Sequence, residues 1–406
     1  MLEGLLVLDL SRVLAGPYCT QLLADLGARV IKVESPAGDD TRRWGPPYPA
    51  GESGYYLSVN RGKESVVVDL KTPRGSELVR ALARKADVIV ENFKVGDLQR
   101  YGLDYASVAA TNPRAVYVSI TGYGQTGPRA HEAGYDGAMQ AFSGLMAMLG
   151  EPGRAPVKLS VAWIDVLTGV HAAVGALAAL RRRERVGEGA HLDVSLFDVA
   201  LASQVNQAQN TLITGRAPSK LGSAHPNIVP YQAFETADGA VVLAVGNDRQ
   251  YASLCQVLGR PEWAEGEYAT NDGRVADRAR LVPMLQERLL EITTSDLLAA
   301  CNDAKVPATK VMGLNEALAE PQAVARGMVV SGQHPLIGEL QMVASPLWKA
   351  HGPNGQPLEL EPEAGNAPVP PLLGEDTAAV LARELGLSEA EVADLAASGA
   401  IGVRQP

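Results

Sequence analysis

The sequence predicts an α/β fold built on a parallel sheet. Short apolar runs recur through its first half, helix-forming stretches separate them, and glycine or proline stands at the joints. Residues 5–10 form the first run, short enough for a buried strand. Gly16 and Pro17 follow, a helical pattern runs to about Leu26, and Gly27 closes it. Residues 30–33 and 65–69 are the next two strands. Lys71-Thr72-Pro73 then opens a helix reaching about Arg84. Residues 88–90 form a strand that ends at Glu91-Asn92-Phe93, and 116–120 form another. Strands alternating with crossover helices pair in parallel. A helical patch near 137–148, a long helix from about Asp165 to Glu184, a turn at Gly187-Glu188-Gly189 and a strand at 191–196 complete this half.

From about His225 the pattern changes. Asp238-Gly239 is a hairpin signal ahead of a strand at 241–245. Helices are predicted around 251–258, 281–292 and 295–304, so this part reads as a separate, smaller α+β domain ending near Val329. Residues 352–373 are rich in Pro, Gly and Glu and predict an extended surface path. A polar helix at about 375–385 comes next, and Ser388 with Glu391 forms a capping box.

Composition narrows the function classes. The 406 residues are 46% hydrophobic and 20% charged, enough for two or three domains with sizeable cores. The net charge is −10, and Arg181-Arg182-Arg183 is the longest basic run, which leaves a nucleic-acid role without electrostatic support. Cys19, Cys255 and Cys301 are far apart and the six histidines are scattered, so neither a disulfide framework nor a metal site is expected. The N-terminus reads as a strand rather than a secretory leader. The apolar stretch 166–180 contains Thr168 and His171 and is shorter than a membrane span, which predicts a buried core helix and a cytoplasmic protein with no membrane partner.

Parallel α/β sheets bind ligands beyond the carboxyl ends of their strands. After the first strand, the small residues of Ser11–Pro17 allow close approach to backbone and to a helix N-terminus that attracts anions; the same residues also suit a tight turn alone. They match neither the dinucleotide nor the Walker A fingerprint. Asn92 and Phe93 suit hydrogen bonding and stacking on a planar ligand, or a helix cap and a core aromatic. Arg42, Arg43, Lys71 and Arg100 are candidate phosphate partners, or solvated surface cations. Asp165 stands in SVAWIDVLTG among apolar neighbours, where a carboxylate is costly unless hydrogen-bonded or used; an N-cap is the alternative reading.

Several long runs in register, VLDLSRVLAGPYCTQLLADLGARVIKVE, DDTRRWGPP, VVVDLKTPRG, ADVIVENFKVGDLQRYGLDY and SITGYGQTGP, resemble the family III CoA transferases, the formyl-CoA and carnitine CoA-transferase family of CaiB/BaiF type. The resemblance implies a Rossmann-like large domain from 1–200 and 330–406, a small domain at 225–325 with 201–224 and 326–329 as linkers, and an interlocked homodimer. It implies an enzyme that moves CoA between carboxylic acids through an aspartyl-CoA thioester on Asp165. In it, Tyr135 matches an active-site tyrosine and Gly246 lies in a lid loop, Val245-Gly246-Asn247-Asp248. Leu14 and Ala15 would supply oxyanion donors. Ala15, Lys71, Asn92, Phe93 and Arg100 would hold CoA, with Arg42 and Trp44 near the pocket. No cofactor is implied beyond CoA thioesters as substrates. Three positions depart from the formyl-CoA members: Ser35 and Ala133 stand where those carry arginine and lysine, and the lid is not all glycine. HPNIVPYQAFETADG and AVGNDRQY resemble the branch that takes succinyl-CoA as donor and C4–C6 dicarboxylates as acceptors, with itaconate preferred. The far carboxylate of the acceptor needs a cation, for which Arg42, Arg43 and Arg249 are candidates. The racemase branch uses a histidine where Tyr135 stands, so racemisation is the alternative within the family, beside a formyl-CoA or carnitine type of transfer to another acid.

Overall fold

The first apolar run forms β1 (Leu6–Asp9), with all four residues buried. It is followed by α1 (Ala15–Asp25), β2 (Arg29–Glu34), α2 (Gly54–Ser58), β3 (Lys63–Val68), α3 (Pro73–Ala83), β4 (Val88–Glu91), α4 (Tyr105–Thr111), β5 (Val116–Thr121), α5 (Asp136–Phe142), α6 (Leu145–Met148), α7 (Trp163–Val186) and β6 (Ala190–Ser195) in a computed structural model that describes residues 1–358 and 360–404. The strands lie in the order β3-β2-β1-β4-β5-β6, every pair parallel. Helices cover both faces of such a sheet, which is why β4 and β5 are buried along their whole length, whereas β6 at the edge alternates. The order reverses at β1, which has β2 on one side and β4 on the other. The crevice beyond the carboxyl ends of β1 and β4 is therefore the topological switch point.

Three elements of this half differ from their sequence expectation. The helical patch breaks at Gly144, whose φ of 87° ends α5 and starts α6. Leu196 is not strand but opens the helix Leu196–Ala202, because the Ser195 side chain accepts the Asp198 N–H and caps it. Helix α7 begins earlier and runs longer than expected. At 24 residues it is long and apolar enough to cross a membrane, with half of its most apolar window buried inside the protein. Its buried face is small: Gly169, Ala172, Ala173 and Ala176. A Cβ on Gly169 would lie 2.7 Å from the Ala15 carbonyl oxygen, so glycine here lets α7 rest on the backbone of α1.

The chain divides into two compact units. The first comprises Met1–Ser143, Leu159–Asn210 and the segment from Pro321 onward; the second comprises Gly144–Lys158 and Thr211–Glu320. Residues 144–158, which the sequence placed with the large domain, cluster with the second unit, and that unit starts at Thr211 rather than 225. In the second unit β7 (Tyr231–Glu235), β8 (Ala240–Ala244) and β9 (Ala308–Lys310) form an antiparallel sheet, and the β7–β8 hairpin turns at Asp238-Gly239 as expected. The helices Asp248–Val257, Arg278–Leu289 and Thr294–Asp303 enclose a core that includes Phe234, Leu243, Leu254 and Leu285.

On returning to the first unit, the chain forms an antiparallel ribbon of β10 (Val329–His334) and β11 (Gly338–Val343), which the sequence reading missed. Helices Thr377–Leu385 and Glu389–Ala397 follow, the latter with the expected capping box of Ser388 and Glu391. Last comes β12 (Ile401–Gly402), antiparallel to β3, as a seventh strand. Val380, Leu381, Leu395 and Ile401 join Ile31, Val66 and Ile89 in one core, so the two ends of the chain share it.

Candidate active site

A cleft of about 380 Å³ lies at the switch point, lined by residues that follow β1 (Arg12, Val13, Leu14, Ala15), β4 (Asn92, Phe93) and β5 (Gly122), together with Trp44, Tyr135 and Asp165. Seven of the residues singled out from sequence meet there: Leu14, Ala15, Trp44, Asn92, Phe93, Tyr135 and Asp165.

Asp165 is the third residue of α7 and is half-buried. The N-cap reading of it fails, because Ala162 holds that position and a different carboxylate does the capping. Asp136 of α5 accepts the N–H of Ile164 at 2.7 Å and of Asp165 at 3.3 Å through one oxygen, and the Gln140 amide at 2.6 Å through the other. Gln140 in turn accepts the Leu159 N–H at 2.9 Å. The Asp165 carboxylate receives no hydrogen bond from any described residue; burial first, and the Asp136 charge second, push it up to about 7. Tyr55 is close enough to feel it: burial and then the Asp165 charge raise its hydroxyl to about 12. Tyr55 packs edge-on against Trp44, 5.4 Å between ring centres.

The wall opposite α5 is made by a backbone crossing. A Cβ on Gly134 would come within 2.5 Å of the Gly122 Cα, so both positions need glycine for the segment after β5 to lie against the one before α5. Tyr135 follows at the N-cap of α5 with its side chain exposed to the cleft.

The turn after β1 is held by side chains alone. The Ser11 N–H donates to Asp9 and its carbonyl accepts from Lys32. Asn92 takes both the N–H and the carbonyl of Arg12, at 3.0 and 2.7 Å. The Val13 N–H donates to both oxygens of Asp39 at 3.3 Å. Val13 has a φ of 73°, a left-handed conformation that strains a β-branched residue by about 1–3 kcal/mol. Beneath the turn lie three buried acids and three cations, Asp9, Glu34 and Asp39 with Lys32, Arg42 and Lys63. Burial alone would raise Asp9, but Lys63 and Lys32 outweigh it and bring it to about 2; burial lowers Lys63 to about 8. Charge balance is what lets such a network persist without solvent. Among the described residues no group of three or more His, Cys, Asp or Glu side chains is placed to hold a metal.

Comparison with known proteins bears on this arrangement. A family model described as CoA-transferase family III matches residues 2–377. The chain belongs to CoA-transferase family III. It is 50% identical over 337 residues to the succinate–glutarate CoA-transferase of Agrobacterium fabrum, covering 81% of this chain and 84% of that one. It is 40% identical over 402 residues to the human succinyl-CoA:glutarate CoA-transferase, covering 98% and 90%. Among solved structures, a CaiB/BaiF family protein from Brucella suis superposes with a TM-score of 0.82 at 43% identity, covering 94% of this chain and 99% of that one.

This CoA-transferase, an enzyme, places its other expected site residues elsewhere. Arg42 does not line the cleft. Its guanidinium binds Glu34 at 2.8 and 2.7 Å, donates to Tyr56 at 2.6 Å and to the Pro371 carbonyl at 3.2 Å, and stacks 3.6 Å over the Tyr56 ring. Largely buried, it ties β2 to α2 and stands outside the cleft where the sequence had placed it as a substrate partner. Arg43 is exposed at the surface, 3.6 Å from Asp40. Lys71 and Arg100 also stand outside the cleft lining, both exposed, with Arg100 4.9 Å over the Tyr101 ring. Gly246 and Arg249 lie in the second unit; the Gly246 N–H donates to the Gln250 side chain at 2.9 Å and Asn247 caps the following helix. Sequence reasoning missed Asp136, Gln140, Asp39 and Tyr55. Only Asp136 carried a signal, as an acid ahead of a helix, and the helix it caps is not its own.

Proposed function

We propose that this CoA-transferase moves CoA from succinyl-CoA to a dicarboxylic acid of four to six carbons through a covalent adduct on Asp165. The observation that carries the reading is the Asp165 carboxylate, unpartnered in the cleft one helical turn before the point where α7 touches the start of α1. The carboxylate attacks the thioester carbonyl of the donor, forming a mixed anhydride and releasing CoA thiolate. The thiolate attacks the aspartyl carbonyl, succinate leaves, and Asp165 carries CoA as a thioester. The acceptor carboxylate repeats both steps in reverse and leaves with CoA. Leu14 and Ala15 line the cleft at the start of α1, and no described residue accepts from their N–H groups, so these suit the developing oxyanion.

Glutarate is the first acceptor to try, because the relatives at 50% and 40% identity are named for it. Itaconate, favoured from sequence, belongs in the same screen, since pockets separate acids differing by a methylene by only about 1–3 kcal/mol. Arg249, exposed in the second unit, and Arg43 remain the candidates for the far carboxylate. Lys71 and Arg100 are proposed for the CoA phosphates, and Gly246 for the lid.

The test is intact-protein mass spectrometry after mixing with succinyl-CoA, with hydroxylamine cleavage and peptide mapping. A CoA or succinyl adduct on Asp165, absent from Asp165→Asn, is expected. An unmodified wild-type protein, or an adduct that persists in Asp165→Asn, overturns the reading.

Self-association into an interlocked homodimer is proposed with it. What supports it is the exposure of Trp163, Val170 and Val174 on α7 and of Leu201 and Val205 beyond β6, apolar side chains that a partner would cover. Light scattering should give twice the chain mass down to nanomolar dilution; a stable monomer removes the proposal.

A further inference from the structure

Five consecutive backbone groups after β1 are satisfied by side chains from four other positions: Ser11 N–H by Asp9, Ser11 carbonyl by Lys32, Arg12 N–H and carbonyl by Asn92, and Val13 N–H by Asp39. No backbone partner holds this turn, so its shape is set by the buried charges Asp9, Lys32 and Asp39 together with the Asn92 amide. Its last residue is left-handed although it is valine. The two residues that follow, Leu14 and Ala15, stand at the start of α1, line the cleft that contains Asp165, and have N–H groups that no described residue accepts from.

We infer that Asp39 is a positioning residue for CoA transfer: with Lys32, it holds Val13 in the left-handed conformation and thereby aims the Leu14 and Ala15 N–H groups at the carbonyl under attack. Asp39 is suited to this. Both its oxygens share the Val13 N–H, one also accepts the Thr41 N–H at 3.0 Å and hydroxyl at 2.7 Å, and Lys32 pairs with it at 2.9 Å. Its side chain is wholly buried and does not itself line the cleft; it reaches the cleft only through the Val13 backbone. Lys32 completes the clamp by holding the Ser11 carbonyl two residues earlier. A donor misplaced by an ångström loses about 100-fold in rate, while binding of the distant nucleotide is unaffected.

This rests on Asp165 as the nucleophile, and the experiment separates the two. The rate of adduct formation on Asp165 is followed by quenched-flow mass spectrometry with succinyl-CoA. In Lys32→Met/Asp39→Leu, which removes acceptor and buried counter-charge together, the rate should fall about 100-fold with the KM for succinyl-CoA changed less than about threefold. Adding Val13→Gly should recover about tenfold, because glycine takes a φ of 73° unaided. Asp39→Asn, which preserves volume, should lose about tenfold and serves if the double variant does not fold. A folded variant with an unchanged adduct rate, or a loss that Val13→Gly does not relieve, overturns the inference. A wild-type protein that forms no adduct overturns the nucleophile instead.

Discussion

In the proposed transfer Asp165 attacks as a carboxylate, and burial together with the Asp136 charge pushes that carboxyl up to about 7. The transfer rate, as kcat/KM, should therefore climb with pH and level off above about pH 7, which a pH–rate profile checks. Asp136→Asn keeps an oxygen for the α7 N–H groups but removes the neighbouring charge, so the rise should move to lower pH. The same shift bears on stability. The native chain keeps until about pH 7 a proton that the unfolded chain gives up near pH 4, so this group makes stability fall as pH rises through that window. Asp165→Asn should be more stable than wild type by about 4 kcal/mol at pH 8, with the difference gone below pH 4, as read by thermal unfolding. Asp165 was legible in the sequence because apolar neighbours make a carboxylate conspicuous. Asp136 and Asp39 were not, since each acts on backbone brought to it by the fold. The engagement of Arg42 was not legible either, because its partner Glu34 sits eight residues back on a strand end, a pairing that no local spacing announces.

Among the elements, α7 matters most, because its angle on α1 decides where Asp165 stands. Gly169→Val should push the two helices apart at the 2.7 Å approach to the Ala15 carbonyl. The expected result is about 1–3 kcal/mol of lost stability and a loss of turnover larger than stability explains, checked by thermal midpoint and kcat together. The parallel strands were read from sequence within a residue or two because each carries a run of Val, Ile or Leu, as burial in the sheet requires. β10 and β11 escaped notice for the opposite reason: VVSGQH and GELQMV mix polar and apolar residues, as a two-stranded ribbon covered on one side permits. The break at Gly144 was invisible as well, since glycine inside an apolar patch does not reveal whether its φ is positive.

For the whole molecule, the first unit draws its core from both halves of the sequence. Removing residues 377–404 would strip Val380, Leu381, Leu395 and Ile401 from the cluster around Ile31 and Val66 and uncover the edge of β3. The shortened chain should be insoluble or molten, by near-ultraviolet circular dichroism and exposed-apolar dye binding. The same arrangement sets a schedule for synthesis. β3 leaves the ribosome long before its last partner, β12. At about 5–20 residues per second the nascent chain waits roughly 20–70 s with that edge open. The sheet is thus completed only once residues 401–402 have emerged, and until then a chaperone that shields open strand edges has its strongest claim on this chain.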